Sequence, residues 1–124
     1  MQAVRSLSAK WPYARAKLIE DKANGPAVIQ MLKNEIPGML PVNPDGGKVA
    51  RASAASPEVE AGNVYLPDPS VAAWVHDFVE ETAAFPNGLH DDMVDCFSQA
   101  LNYWHVPLDK KFATLPMLGG LKVR

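Results

Sequence analysis

The run from about Asp91 to Trp104 constrains this chain most, because two physical demands meet in it. Wound as a helix at about 100° per residue, it gathers Met93, Val94, Phe97, Ala100, Leu101 and Trp104 on one apolar face that must be covered by a core. Asp92, Asp95 and Gln99 fall on the other side, with Asp91 at or near the N-cap. A single carboxylate there is ordinary, since a cap and the helix dipole favour it by about 0.3–1 kcal/mol. Three acids within five residues exceed that need and repel one another. They must sit in water or be neutralised, and a hard divalent cation is a partner that carboxylate oxygens suit.

The remaining segments alternate between strand-like and helix-like. The stretch around Val4, Leu7 and Trp11 predicts a short helix stopped by Pro12. Leu18 and Ile19 predict a short buried strand ending at Glu20. Asn24 or Gly25 then caps a helix with Pro26 in its first turn and Val28, Ile29, Leu32 and Ile36 on its apolar face, closed by Pro37-Gly38. "MLPV" predicts a second strand and "NPDGG" a turn. "KVARASAA" predicts a helix, Ser56-Pro57 a fresh turn that Gly62 closes, and "NVYLP" a third strand. Ser70 is expected to cap a helix whose stripe is Val71, Trp74, Val75, Phe78 and Val79, ended by "FPNG". The expected class is mixed α/β, a small sheet flanked by helices, with residues 1–105 as one domain and 106–124 as a tail without clear period.

Charge divides unevenly along the chain. Residues 1–54 carry eight Lys or Arg against four acids, residues 55–105 carry nine acids and no Lys or Arg, and the remainder is basic again. Such a split can set an acidic centre beside a basic surface. No window of 18 apolar residues predicts a membrane span, and the first fifteen residues have no apolar signal-like core. The single Cys96 allows no internal disulfide, so a reducing cytoplasm is expected.

A second acidic pair, Glu20-Asp21, ends a predicted strand, a position from which side chains reach a shared site. Other chemistry is poorly served. His76 and His105 read as surface residues, Cys96 as a small packed thiol, and the three histidines with one cysteine lack a compact zinc spacing. "DGGK" is no phosphate loop, because Val42 and Val49 stand where Gly and Ser or Thr belong.

Three blocks then join: "LIEDKANGPAVIQMLKNEIPG", "KVARASAASPEVEAGNVYLP" and "FVEETAAFPNGLHDDMVDCFSQAL". Together, from about Arg15 to Trp104, they resemble the C-terminal nuclease domain of phage terminase large subunits. The resemblance implies an RNase H-like fold that cuts double-stranded DNA with two divalent metals, Mg²⁺ or Mn²⁺, one activating water and one stabilising the leaving oxygen. Carried over by position, Glu20 is the strand-end metal ligand, with Asp21 as its alternative. Asp92 is the helix ligand, with Asp91 beside it, and Asp95 is a supporting group. Lys48 and Arg51, with Lys22 and Lys33, are the expected contacts to DNA phosphates.

The family's first strands, which hold its first catalytic aspartate, precede the point matched here, and nothing upstream of Glu20 is acidic. A partial RNase H-like fold is therefore expected, without the separate ATPase domain, acting in a bacterial host cell and encoded by a phage or prophage. Its expected partners are double-stranded DNA, a terminase ATPase domain, small terminase or portal, and a second copy joined through an open sheet edge. The competing expectation is a non-catalytic module that keeps the fold and binds DNA or a packaging partner.

Overall fold

The computed structural model describes residues 1–105, whose contacts gather into two compact units, Met1–Gly46 and the residues from Gly47 onward. The expected tail, 106–124, lies outside the described residues. Among those residues there are five helices and one two-stranded parallel sheet, the mixed α/β class that the alternation of segments predicts.

The first unit runs α1 (Gln2–Lys10), β1 (Lys17–Glu20), α2 (Gly25–Leu32), β2 (Met39–Val42). β1 and β2 pair in parallel from Lys17↔Met39 to Glu20↔Val42. A parallel pair needs a crossover, and α2 supplies it, packing against both strands. Leu32 and Ile36 are buried and Val28 and Ile29 half-buried, so the expected stripe faces the core. β1 departs from expectation: Leu18 and Ile19 are half-buried, because a two-stranded sheet shields its side chains incompletely.

Two glycines make this βαβ unit possible. A Cβ on Gly25 would stand 1.7 Å from the Glu20 carbonyl oxygen, so the turn into α2 can fold against the end of β1 only without a side chain. Gly38 has φ +80°, and a Cβ there would lie 1.8 Å from the Arg15 carbonyl oxygen. Lys17 closes the same corner by donating from Nζ to the carbonyls of Ala14 (2.6 Å) and Pro37 (3.1 Å). Arg5 Nε and Nη2 hold the two oxygens of Glu35 at 2.7 and 2.9 Å, tying α1 to the segment after α2.

The second unit is helical: α3 (Lys48–Glu60), α4 (Trp74–Ala84) and α5 (Asp92–His105), with α5 packed against both others. Ala55, Val75, Phe78, Val94 and Ser98 are its buried residues, and Phe78 meets Phe97 edge to face at 5.2 Å. Several sequence expectations are corrected here. α3 does not stop at Ser56-Pro57. The Ser53 carbonyl, which loses its helical partner at Pro57, accepts instead from the Ser56 hydroxyl at 3.0 Å, and the helix continues. It ends at Gly62 (φ +75°), where the Gly62 and Asn63 amides donate back to the Val59 and Glu58 carbonyls.

"NVYLP" forms no strand. Pro67 and Pro69 remove donors there, and Tyr65 is 88% exposed, so the sheet has two strands rather than three among the described residues. Ser70 caps no helix, because its own amide donates to the Asp68 carboxylate at 2.8 Å in a preceding turn and α4 begins only at Trp74. Val71 is thereby left in the turn, and Trp74 and Val79 are half exposed, so Val75 and Phe78 alone of the expected stripe are buried. On α5, likewise, Val94 is buried while Trp104 is exposed. Cys96, expected to pack, is exposed.

Gly38→Ala should lower the unfolding free energy of the full chain by at least about 1–2 kcal/mol, since a left-handed backbone and a backbone clash coincide there. Urea denaturation reads the loss directly.

Candidate active site

The chemistry of the second unit concentrates at the start of α5, where the chain solves the repulsion of its three aspartates with side chains from α3 and α4. The amides of Met93 and Val94 both donate to Glu81 Oε1 of α4, at 2.7 and 3.2 Å. A carboxylate from another helix thus satisfies two of the four orphan N–H groups and meets the positive end of the helix dipole. Asp91, placed at the cap by sequence, contributes its carbonyl to Asp95 N–H (2.9 Å), while its carboxylate turns to Lys48 Nζ at 2.6 Å.

One helical turn further along both helices, Arg51 meets Asp95. Its Nε donates to Asp95 Oδ1 at 3.1 Å, and its Nη2 donates to the same oxygen. The two side chains are only 11% and 12% exposed, whereas those of Lys48 and Asp91 are 44% and 40% exposed. The Arg51 carbonyl also accepts from Asn102 Nδ2 at 3.0 Å. Farther along the same pair of helices, His105 Nε2 stands 3.4 Å from Glu58.

These contacts shift the charges they hold. Burial pushes the Asp95 carboxyl up, but hydrogen bonds from Arg51 and Gln99, with the charges of Arg51 and Lys48, outweigh it and leave the group below its ordinary value. Lys48 is raised, chiefly by its hydrogen bond to Asp91. The three acids are thereby sorted. Asp91 and Asp95 are matched by cations of α3, while Asp92 is exposed on the first turn and takes part in neither ion pair.

In the first unit, Glu20 ends β1 with its side chain half exposed, 3.9 Å from Lys22 Nζ. Asp21 follows it, exposed, its amide donating to the Val42 carbonyl at 2.7 Å. Lys22 and Lys33 are exposed. Carboxylate oxygens suit Mg²⁺ or Mn²⁺, and Mg²⁺ is commonly held by one or two carboxylates with water and substrate phosphates completing its shell. Glu20 in the first unit and Asp92 in the second are each solvent-accessible carboxylates, the donor type such cations take. Neither unit by itself, among the described residues, gathers three His, Cys, Asp or Glu side chains able to hold a metal.

Sequence reasoning missed Glu81 as a cap and missed that Lys48 and Arg51 face the acids. The signal for the second was present: cations three residues apart on α3 answer acids four apart on α5, and residues 55–105 contain no cation of their own.

Arg51→Ala should destabilise the chain by roughly 1–3 kcal/mol, because it strands Asp95 in a nearly dry position. The pair also sets an acid limit. Since the folded pKa of Asp95 is depressed, its contribution is complete above the unfolded Asp value of about 3.9 and is lost as pH falls through the lower folded value. Thermal melts from pH 6 down to pH 2 should therefore fall less steeply for Asp95→Asn than for the unaltered chain.

The family model for a terminase RNaseH-like domain matches residues 3–103. No curated protein and no solved structure matches the chain.

Proposed function

The chain belongs to the terminase RNaseH-like domain family, and from that premise we propose that it acts as the nuclease portion of a phage or prophage DNA-packaging terminase, cutting double-stranded DNA with Mg²⁺ or Mn²⁺. The observation that carries the proposal is the sorting of charges at the start of α5. Two of three acids are neutralised from α3, and Asp92 is left exposed on a turn fixed by Glu81. The two hydrogen bonds to Glu81 hold the backbone of the turn from which that carboxylate projects.

Glu20 and Asp92 are proposed as the metal-binding carboxylates, with Asp21 as the neighbour that could share the role of Glu20. When bound, the cation would supply a water activated at neutral pH and charge stabilisation for the leaving oxygen. Within this proposal Lys22 and Lys33, exposed on the first unit, contact DNA phosphates, while Lys48 and Arg51 hold the acids of α5. The ATPase domain, small terminase and portal are the proposed partners in packaging. No helix among the described residues is long and apolar enough to cross a membrane.

The same neutralisation favours a second reading, a non-catalytic module that has kept the fold, because Asp91 and Asp95 need no metal to be stable. Plasmid cleavage in Mn²⁺ separates the two. The nuclease reading expects slow nicking that Glu20→Gln and Asp92→Asn each reduce to background. Nicking that survives Asp92→Asn would remove that residue from the site, and none by the unaltered chain would leave the binding module.

A further inference from the structure

One side of α3 is apolar and open to water. Val49, Ala52 and Val59 recur along it at helical spacing, and Val49 and Val59 are 54% and 49% exposed. With Phe85 and Pro86, which follow α4, and with α5 lining the remainder, they enclose a groove of about 460 Å³. Glu60, exposed at the end of α3, lines it as well. An apolar groove of this kind marks a place where another segment docks.

The chain itself carries a suitable occupant. α5 ends at His105, 3.4 Å from Glu58, so the chain leaves α5 beside the end of α3 where Val59 and Glu60 line the groove. Residues 106–124 follow, and among them is "KKFATLPML", residues 110–118, two lysines ahead of Phe112, Leu115, Met117 and Leu118. The charges are opposite: residues 55–105 hold nine acids and no Lys or Arg, whereas 106–124 hold four Lys or Arg and one Asp. Length suffices too. From Val49 to Val59 a helix rises about 15 Å, which roughly five extended residues span, leaving 106–111 for the return from α5. A tethered segment also meets its groove at an effective concentration on the order of millimolar, so modest contacts hold it where a second molecule would need stronger ones.

We propose that the groove between α3, α4 and α5 is the docking site of the chain's own residues 112–118, with Lys110 and Lys111 beside Glu60. Phe112 and Leu115 supply the apolar side chains that cover Val59 and Ala52, and the segment runs back along α3 toward Val49. Docking removes the open side of α3 from water and sets the basic end of the chain on its acidic part. It is independent of whether the chain cuts DNA.

The test is paramagnetic relaxation in the full chain, ¹⁵N-labelled and carrying one nitroxide on Gly119→Cys in a Cys96→Ser background, with circular dichroism confirming that each variant folds. The amides of Val49 and Ala52 should broaden, and the broadening should be lost in Leu115→Asp and in Ala52→Arg. Leu115→Asp alters no helix, so it decides the matter even where Ala52→Arg fails to fold. A mixture of ¹⁵N-labelled chain without nitroxide and unlabelled chain with it separates the sources. No broadening in that mixture supports docking within one chain. Broadening there as strong as in the singly labelled sample would make a second copy the occupant and overturn the proposal. Absence of broadening at Val49 and Ala52, or broadening that survives Leu115→Asp, would overturn it as well.

Discussion

The second unit depends on the pairing of Arg51 with Asp95. Two charges with about a tenth of their side-chain surface exposed cannot rely on water, so each requires the other at hydrogen-bond distance. That requirement fixes how α3 and α5 meet, because the guanidinium fork has little freedom once its Nε and Nη2 both reach one oxygen. The contacts on either side follow from the same register. Lys48 reaches Asp91 a turn earlier, Asn102 reaches the Arg51 carbonyl, and His105 approaches Glu58. Ala55 of α3 and Val94 of α5 are buried in this unit.

α4 enters through a different interaction, and it too is electrostatic at one end. Phe78 packs edge to face on Phe97, anchoring α4 to the apolar side of α5, while Glu81 one turn later caps the amides of that helix. The start of α5 is thus specified twice, by an aromatic contact that sets distance and by a carboxylate that fills orphan donors. The side chains of Asp91 and Asp92 therefore need not serve as caps. In the first unit backbone proximity takes the corresponding part. Glycine at 25 and 38 lets the chain turn against Glu20 and Arg15, which brings β1 and β2 into parallel register around α2.

This division of labour bears on function. An acidic cluster that relied wholly on bound metal would be unstable without it, whereas here two of the three acids of α5 have cations within the chain. Asp91 and Asp95 are thereby neutralised within the chain, while Asp92 remains exposed beside them.

The sequence by itself determined the class of the fold and the family. Local rules suffice for those: the periodicity of Leu32, Ile36, Val75, Phe78 and Val94 marks the helices' inner faces, and the ordered blocks around Glu20 and Asp92 mark the resemblance. Local rules failed where a neighbouring side chain competed for, or replaced, a backbone partner. Ser56 rescued the carbonyl that Pro57 abandoned, the Asp68 carboxylate took the Ser70 amide, and "NVYLP", with Pro67 at its end and Pro69 just beyond, formed no strand. Only the tertiary structure decided which carboxylates are paired with cations. A run of aspartates reads alike in sequence whether water, metal or lysine answers it, because neutralisation depends on separation in space. Lys48 lies 43 residues from Asp91 along the chain and 2.6 Å from it in the fold.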